Sequence, residues 1–256
     1  MKNRLLANPV QHSVQWLSVA LIFLLVSLLA GCLPKPALLP EITAQTPGGF
    51  PTERYQAGYA PGGKVYRLDP AQSEALIYVY RGGRLAHLGH NHVVMSRSVQ
   101  GYLFLADDLT ASRLDLFVPL DALIVDDSQQ RTAAGEDFST KPTPDAVDGT
   151  RRNMLGERGL NAVSHPFVAA SVKVTGGTLP NVDLDAALTI HGFTRNLPLH
   201  AAVKLEYGRA IASGEFSLRQ TDFGMQPYSV LGGALVVQDE IRIRFRLVAE
   251  AMEDKK

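Results

Sequence analysis

The segment Ile241-Arg242-Ile243-Arg244-Phe245-Arg246-Leu247 sets apolar and cationic residues strictly in turn. A period of two is that of a β-strand, whose side chains point alternately to its two faces. Such a strand must lay its apolar face against a partner and show its arginines to water. The same alternation puts Leu114, Leu116, Val118 and Leu120 on one face of a second segment, then Leu184, Ala186, Leu188 and Ile190, then Leu197, Leu199, Ala201, Val203 and Leu205. Further strands are expected over 64–68, 75–80, 93–105, 167–174 and 210–218, eight or nine in all.

The connections are short and glycine-bearing, with Gly82-Gly83, Gly176-Gly177, Gly192, Gly208 and Gly232-Gly233 between the runs. These suit antiparallel hairpins, and no segment between the strands is placed to serve as a parallel crossover. The clear interruption is Asp126 to Ala162, polar and Pro/Gly-containing, in which 128–134 and 146–155 read as short surface helices. An all-β fold follows. Closing the sheet on itself removes exposed edges, so an antiparallel β-barrel of about eight strands is expected, with a β-sandwich as the alternative.

A barrel of that size either fills its interior with side chains or holds one small ligand, depending on the size of the residues that line it. The lining is expected from the apolar faces that carry Leu116 and Val118, Leu188 and Ile190, Leu199 and Ala201, and Phe245 and Leu247. Alanines among the leucines and valines are compatible with a cavity.

Upstream of the strands, Lys2 and Arg4 precede an apolar run from Trp16 to Ala30 that ends at Leu29-Ala30-Gly31-Cys32. The run of about 15 residues is short of the roughly 20 that a membrane-spanning helix needs. Cations, a short apolar stretch and small residues at its end are the pattern of a secretory signal, and the cysteine makes that end a lipobox. Residues 1–31 are therefore expected to be a lipoprotein signal peptide, with Cys32 the acylated first residue of the mature protein. Cys32 is the single cysteine of the chain, so no intramolecular disulfide can form.

Prolines at 34, 36, 40, 47, 51 and 61 then mark residues 32–61 as an extended tether, followed by the barrel domain over 62–252 and a polar tail over 253–256. Residue 33 is Leu rather than Asp, which in a two-membrane envelope points to the outer membrane, facing the periplasm. Removal of residues 1–31 takes Lys2 and Arg4 from a balance of 25 basic and 25 acidic side chains, leaving a net charge near −2. That balance offers no electrostatic footprint for nucleic acid.

Five segments, in order, resemble the YceI-like lipid- and polyisoprenoid-binding family. They are Tyr66-Arg67-Leu68-Asp69-Pro70 with Ser73; Leu155 with His165-Pro166-Phe167; Leu188-Thr189-Ile190-His191-Gly192-Phe193-Thr194-Arg195; Thr221-Asp222-Phe223-Gly224; and Asp239-Glu240-Ile241-Arg242-Ile243. The resemblance implies a lipocalin-like barrel whose interior holds an isoprenoid or similar amphiphile outside the cytoplasm, and binding rather than catalysis. Two features depart from the family pattern: the histidine-rich His87 to His92 and the long 126–152 connection.

In His90-Asn91-His92 the two imidazoles lie two residues apart, so on a strand they share a face and are candidates to ligate one ion. His87 joins them if Gly89 makes a bulge. Zinc, copper, nickel or iron suit imidazole, but the spacing supplies no third ligand. The alternative is that these histidines and Asn91 form hydrogen bonds at a polar end of the barrel or meet a ligand headgroup. His191 reads as a turn residue, and His165 and His200 as solvated. Asp126-Asp127, Glu136-Asp137 and Arg151-Arg152 read as solvated charge. No Gly-x-Ser-x-Gly nucleophile turn occurs, so the chain reads as no enzyme.

The expectation is thus an envelope lipoprotein that carries a hydrophobic ligand, held to the membrane by Cys32, with no obligatory cofactor. Its rivals are a metal-binding protein or metalloenzyme built on His87, His90 and His92, and a structural lipoprotein with a filled barrel.

Overall fold

The computed structural model describes residues 46–253. The expected signal segment, Cys32 and residues 32–45 of the tether lie outside them. Closure of the sheet decides between barrel and sandwich in favour of the barrel. Strands β1 (Gly63–Leu68) and β2 (Glu74–Gly82) follow one another along β12 (Leu235–Ala251), with Leu68 opposite Ala249 and Glu74 opposite Arg246. Asp69 to Ser73 loops out between them. The buried Ser73 hydroxyl fills the gap in the ladder, accepting from the Val248 N–H at 3.0 Å and donating to its carbonyl at 3.3 Å.

β3 (His92–Ser96) and β4 (Gln100–Ala106) likewise form one broken stave, as do β5 (Arg113–Pro119) and β6 (Ile124–Val125). Single strands β7 (Phe167–Thr178), β8 (Asn181–Ile190), β9 (Phe193–Glu206) and β10 (Arg209–Arg219) complete the path to β12, and a two-residue strand β11 (Ser229–Val230) pairs at its edge. The eight staves form an antiparallel meander whose last member pairs back with its first. Two-residue turns join β8 to β9 and β9 to β10. In them His191-Gly192 and Tyr207-Gly208 all have positive φ, the type I′ geometry that matches strand twist.

The wall is incomplete at the seam between β9 and β10. The ladder between β9 and β10 covers only Ala202–Glu206 against Arg209–Ser213, while the rest of β9 pairs with β8 alone. Residues 193–196 and Pro198 are exposed along that stretch.

One end of the barrel is packed shut. Asp127 caps α2 (Ser128–Ala134) by accepting from the N–H groups of Gln129 and Gln130, and Thr143 caps α3 (Pro144–Leu155), which places both helices near the expected positions. Leu155 and Ala162 of this connection pack with Leu120, Leu123 and Val125, while Ile190, Leu218, Phe223 and Met225 fill the neighbouring part of the end. Arg151, read from sequence as solvated, instead donates to the carbonyls of Leu123 and Asp121 and ties α3 to the barrel.

The packed chain begins upstream of the expected start at Gly62. Phe50, Tyr59 and α1 (Thr52–Gln56) lie on the outer face of the wall with Val65, Tyr102 and Phe104. Tyr55 stacks on Tyr102 with ring centroids 5.3 Å apart and donates its hydroxyl to Asp115 at 2.7 Å. Burial, reinforced by Asp115, pushes the Tyr55 hydroxyl well above the usual phenol range. Three aromatics set among prolines and glycines bury enough surface to anchor a segment whose composition alone reads as tether.

Candidate functional site

Because alternate residues of every stave face inward, the eight apolar faces converge on a lumen. It holds a cavity of ≈ 220 Å³ whose lining is carbon apart from Ser112 and Arg113. Seven alanines, among them Ala186, Ala201 and Ala212, stand among leucines and valines in that lining. Their small side chains leave the space that a leucine in each place would fill. Along β9 the lining runs from Leu197 to Val203, roughly 20 Å of strand and about 15 Å along the axis of a barrel with ordinary tilt. The cavity extends away from the packed end towards Leu109 and Leu179, the latter partly exposed.

Of the residues expected to line the lumen, Leu116, Val118, Leu188, Leu199, Ala201, Phe245 and Leu247 do so. Ile190 does not: it lies at the last position of β8, beyond the cavity, and packs with Phe223 and Met225 in the closed end.

A second constellation lies where β3 begins. His92 Nδ1 and Asp126 Oδ2 are 2.7 Å apart, and Asp126 Oδ1 accepts from the Val93 N–H at 3.0 Å and from Arg131 Nη1. Arg131 also donates to the carbonyls of Asn91 at 2.7 Å and Thr140 at 3.0 Å. Asn91 in turn accepts from the Arg81 N–H and donates to the Asp137 carbonyl. Asn91, Asp126 and Arg131 are all buried. The His90 ring stands 4.5 Å from that of His92, and its buried Nε2 has no hydrogen-bond partner among the described residues.

Burial opposes ionisation of Asp126, but the hydrogen bonds from His92, Val93 and Arg131 outweigh it and hold the carboxyl below its usual range. Burial, and next the neighbouring His92, hold His90 below the ordinary histidine value, so it favours the neutral form.

Two expectations are corrected here. His87 sits exposed on a one-turn 3-10 helix (Ala86–Leu88) and does not join His90 and His92, because Gly89 begins an extended segment rather than a bulge that would turn His87 inward. The third member of the cluster is Asp126, which sequence reasoning assigned to a solvated charge run. The available signal was its place at the end of Leu123-Ile124-Val125, one residue before the Asp127 helix cap. There an aspartate with positive φ turns inward. Arg131 and Asn91 carried no distinguishing signal. His191 does serve its turn, with Nδ1 3.2 Å from the Phe223 carbonyl, and His200 is exposed but lies 2.7 Å from Asp183.

A family model described as the YceI-like domain matches residues 66–249. Among solved structures, Burkholderia cenocepacia BcnA superposes with a TM-score of 0.52 at 11% identity, over 71% of this chain and 98% of that one. The Campylobacter jejuni YceI protein gives 0.43 at 11% identity, over 60% and 82%. At 11% identity the likeness to BcnA is one of fold. No curated protein matches the sequence.

Proposed function

The chain belongs to the YceI-like domain family, and from that membership and its lumen we propose that it binds or carries a hydrophobic or amphiphilic molecule, a polyisoprenoid or other lipid, as a non-enzymatic lipoprotein of the cell envelope. The observation that carries the reading is the lining. A cavity of ≈ 220 Å³ walled almost wholly by carbon offers no anchorage to a polar solute. Each methylene it takes from water is worth about 0.8 kcal/mol. Affinity then follows tail length more than headgroup.

The delipidated domain should bind fluorescent long-chain isoprenoid or fatty acyl probes saturably and at one site, with affinity rising as the tail lengthens. Mass spectrometry of lipid carried through purification identifies the natural class. Absence of saturable binding across such probes would hand the lumen to the structural reading.

The leader and lipobox support the envelope assignment, with acylated Cys32 as the membrane attachment and the outer membrane as its place. Cys32→Ser should leave the precursor uncleaved by the lipoprotein pathway or release the protein to the soluble fraction. Mass spectrometry that finds the wild-type mature protein without acyl chains refutes the anchoring.

A further inference from the structure

We propose that His90, His92 and Asp126 form a site for one first-row transition-metal ion of the zinc or copper(II) type, distinct from the lumen. One nitrogen or oxygen from each of the three residues lies within 4.8 Å of the others. Two ligands on one zinc ion can be at most about 4 Å apart, twice the Zn–N bond, so the three atoms need only draw slightly closer to share one.

The two histidines and the aspartate are already held in place for an ion. His92 Nδ1 and Asp126 Oδ2 stand 2.7 Å apart, so an ion that takes the place of the proton between them would have both as ligands after a slight opening of the pair. His90 is fixed in the backbone through Asn91, whose side chain is held by Arg81 and Asp137 and whose carbonyl is held by Arg131. Among the described residues His90 Nε2 and, beside it, Arg131 Nη2 are buried without a hydrogen-bond partner; of the two only the imidazole nitrogen can offer a lone pair to an ion.

The chemistry of the surroundings selects the ion. Arg131 neutralises Asp126, so the cluster draws cations through imidazole nitrogen rather than through net negative charge. Magnesium and calcium, which need several oxygen ligands, are excluded by that donor set, whereas zinc and copper(II) favour it. The ion would bridge the start of β3 to the residue that follows β6, at the closed end of the barrel. It would therefore strengthen the packed end without touching the ligand space.

The test uses the mature domain stripped with a chelator. Titration with zinc or copper(II), followed by calorimetry and elemental analysis after gel filtration, should give one ion per chain and a higher melting temperature, while magnesium gives neither. The His90→Ala, His92→Ala double variant should lose binding while keeping its far-ultraviolet circular dichroism. Asp126→Asn should weaken binding at least about 10-fold, the loss that even an outer-shell partner brings, and His87→Ala should leave it unchanged. Absence of one-to-one binding of either ion to the folded wild-type domain overturns the site, as does binding that survives the double variant. Both readouts are independent of lipid, so failure here leaves the lumen reading standing and failure of lipid binding leaves the metal site standing.

Discussion

Arg131→Met should lower the unfolding free energy by about 3–5 kcal/mol, the usual cost of removing one partner from a buried ion pair. The loss comes from what remains rather than from what is removed. Asp126 keeps His92 and the Val93 N–H but loses its neutralising charge, and the carbonyls of Asn91 and Thr140 lose their donor. Replacing Asp126 by Leu as well should recover part of the loss, because two buried charges are then absent instead of one being stranded. Urea unfolding of the two variants in the presence of chelator measures both effects. A single variant within about 1 kcal/mol of wild type would mean that the pair is effectively solvated.

Ala201→Phe should weaken binding of a long-chain probe about 100-fold, whereas Arg244→Lys should leave it unchanged. Ala201 is buried and lines the lumen; Arg244 is exposed on the opposite face of its strand. A phenyl ring in the cavity displaces some four methylenes of a bound tail, about 3 kcal/mol, and this corresponds to roughly two decades in Kd. Because the ring enters space that is already open, the domain should stay folded, which circular dichroism checks. Equal affinities for the two variants would place the ligand outside the barrel.

The strands were legible because their information is local. In Ile241 to Leu247 or Leu197 to Leu205 the period of two states which residues face inward without reference to any other part of the chain. The turns were legible for the same reason, since His191-Gly192 fits only a narrow set of backbone conformations. Ile190 misled because periodicity gives the face of a strand but not its depth in the barrel, and β8 reaches the packed end at that residue. The His90, His92 and Asp126 cluster was half visible. Two histidines two apart announce themselves, but Asp126 is 34 residues from His92 and is turned inward by one left-handed residue and a buried arginine. Long-range polar contacts of that kind leave no periodic trace. Phe50, Tyr55 and Tyr59 were hidden by the prolines around them.

The unpaired stretch of β9 bears on how the molecule behaves among its own copies. An exposed strand edge is a template on which another chain can add itself, the usual start of edge-to-edge aggregation. Counting back from the two-residue turn, in which Ile190 and Phe193 close the hairpin, alternate pairs share hydrogen bonds, and Asp185 opposite Pro198 falls at a non-bonded position. The backbone nitrogen of residue 198 therefore points out of the β8–β9 ladder and into the seam. Because proline has no N–H to offer there, an incoming strand would meet a missing donor midway along the edge. Arg195 and His200 flank it with polar side chains. A wall left partly unzipped would otherwise invite self-association, and a single imino acid in its middle makes it a poor place for another strand to dock.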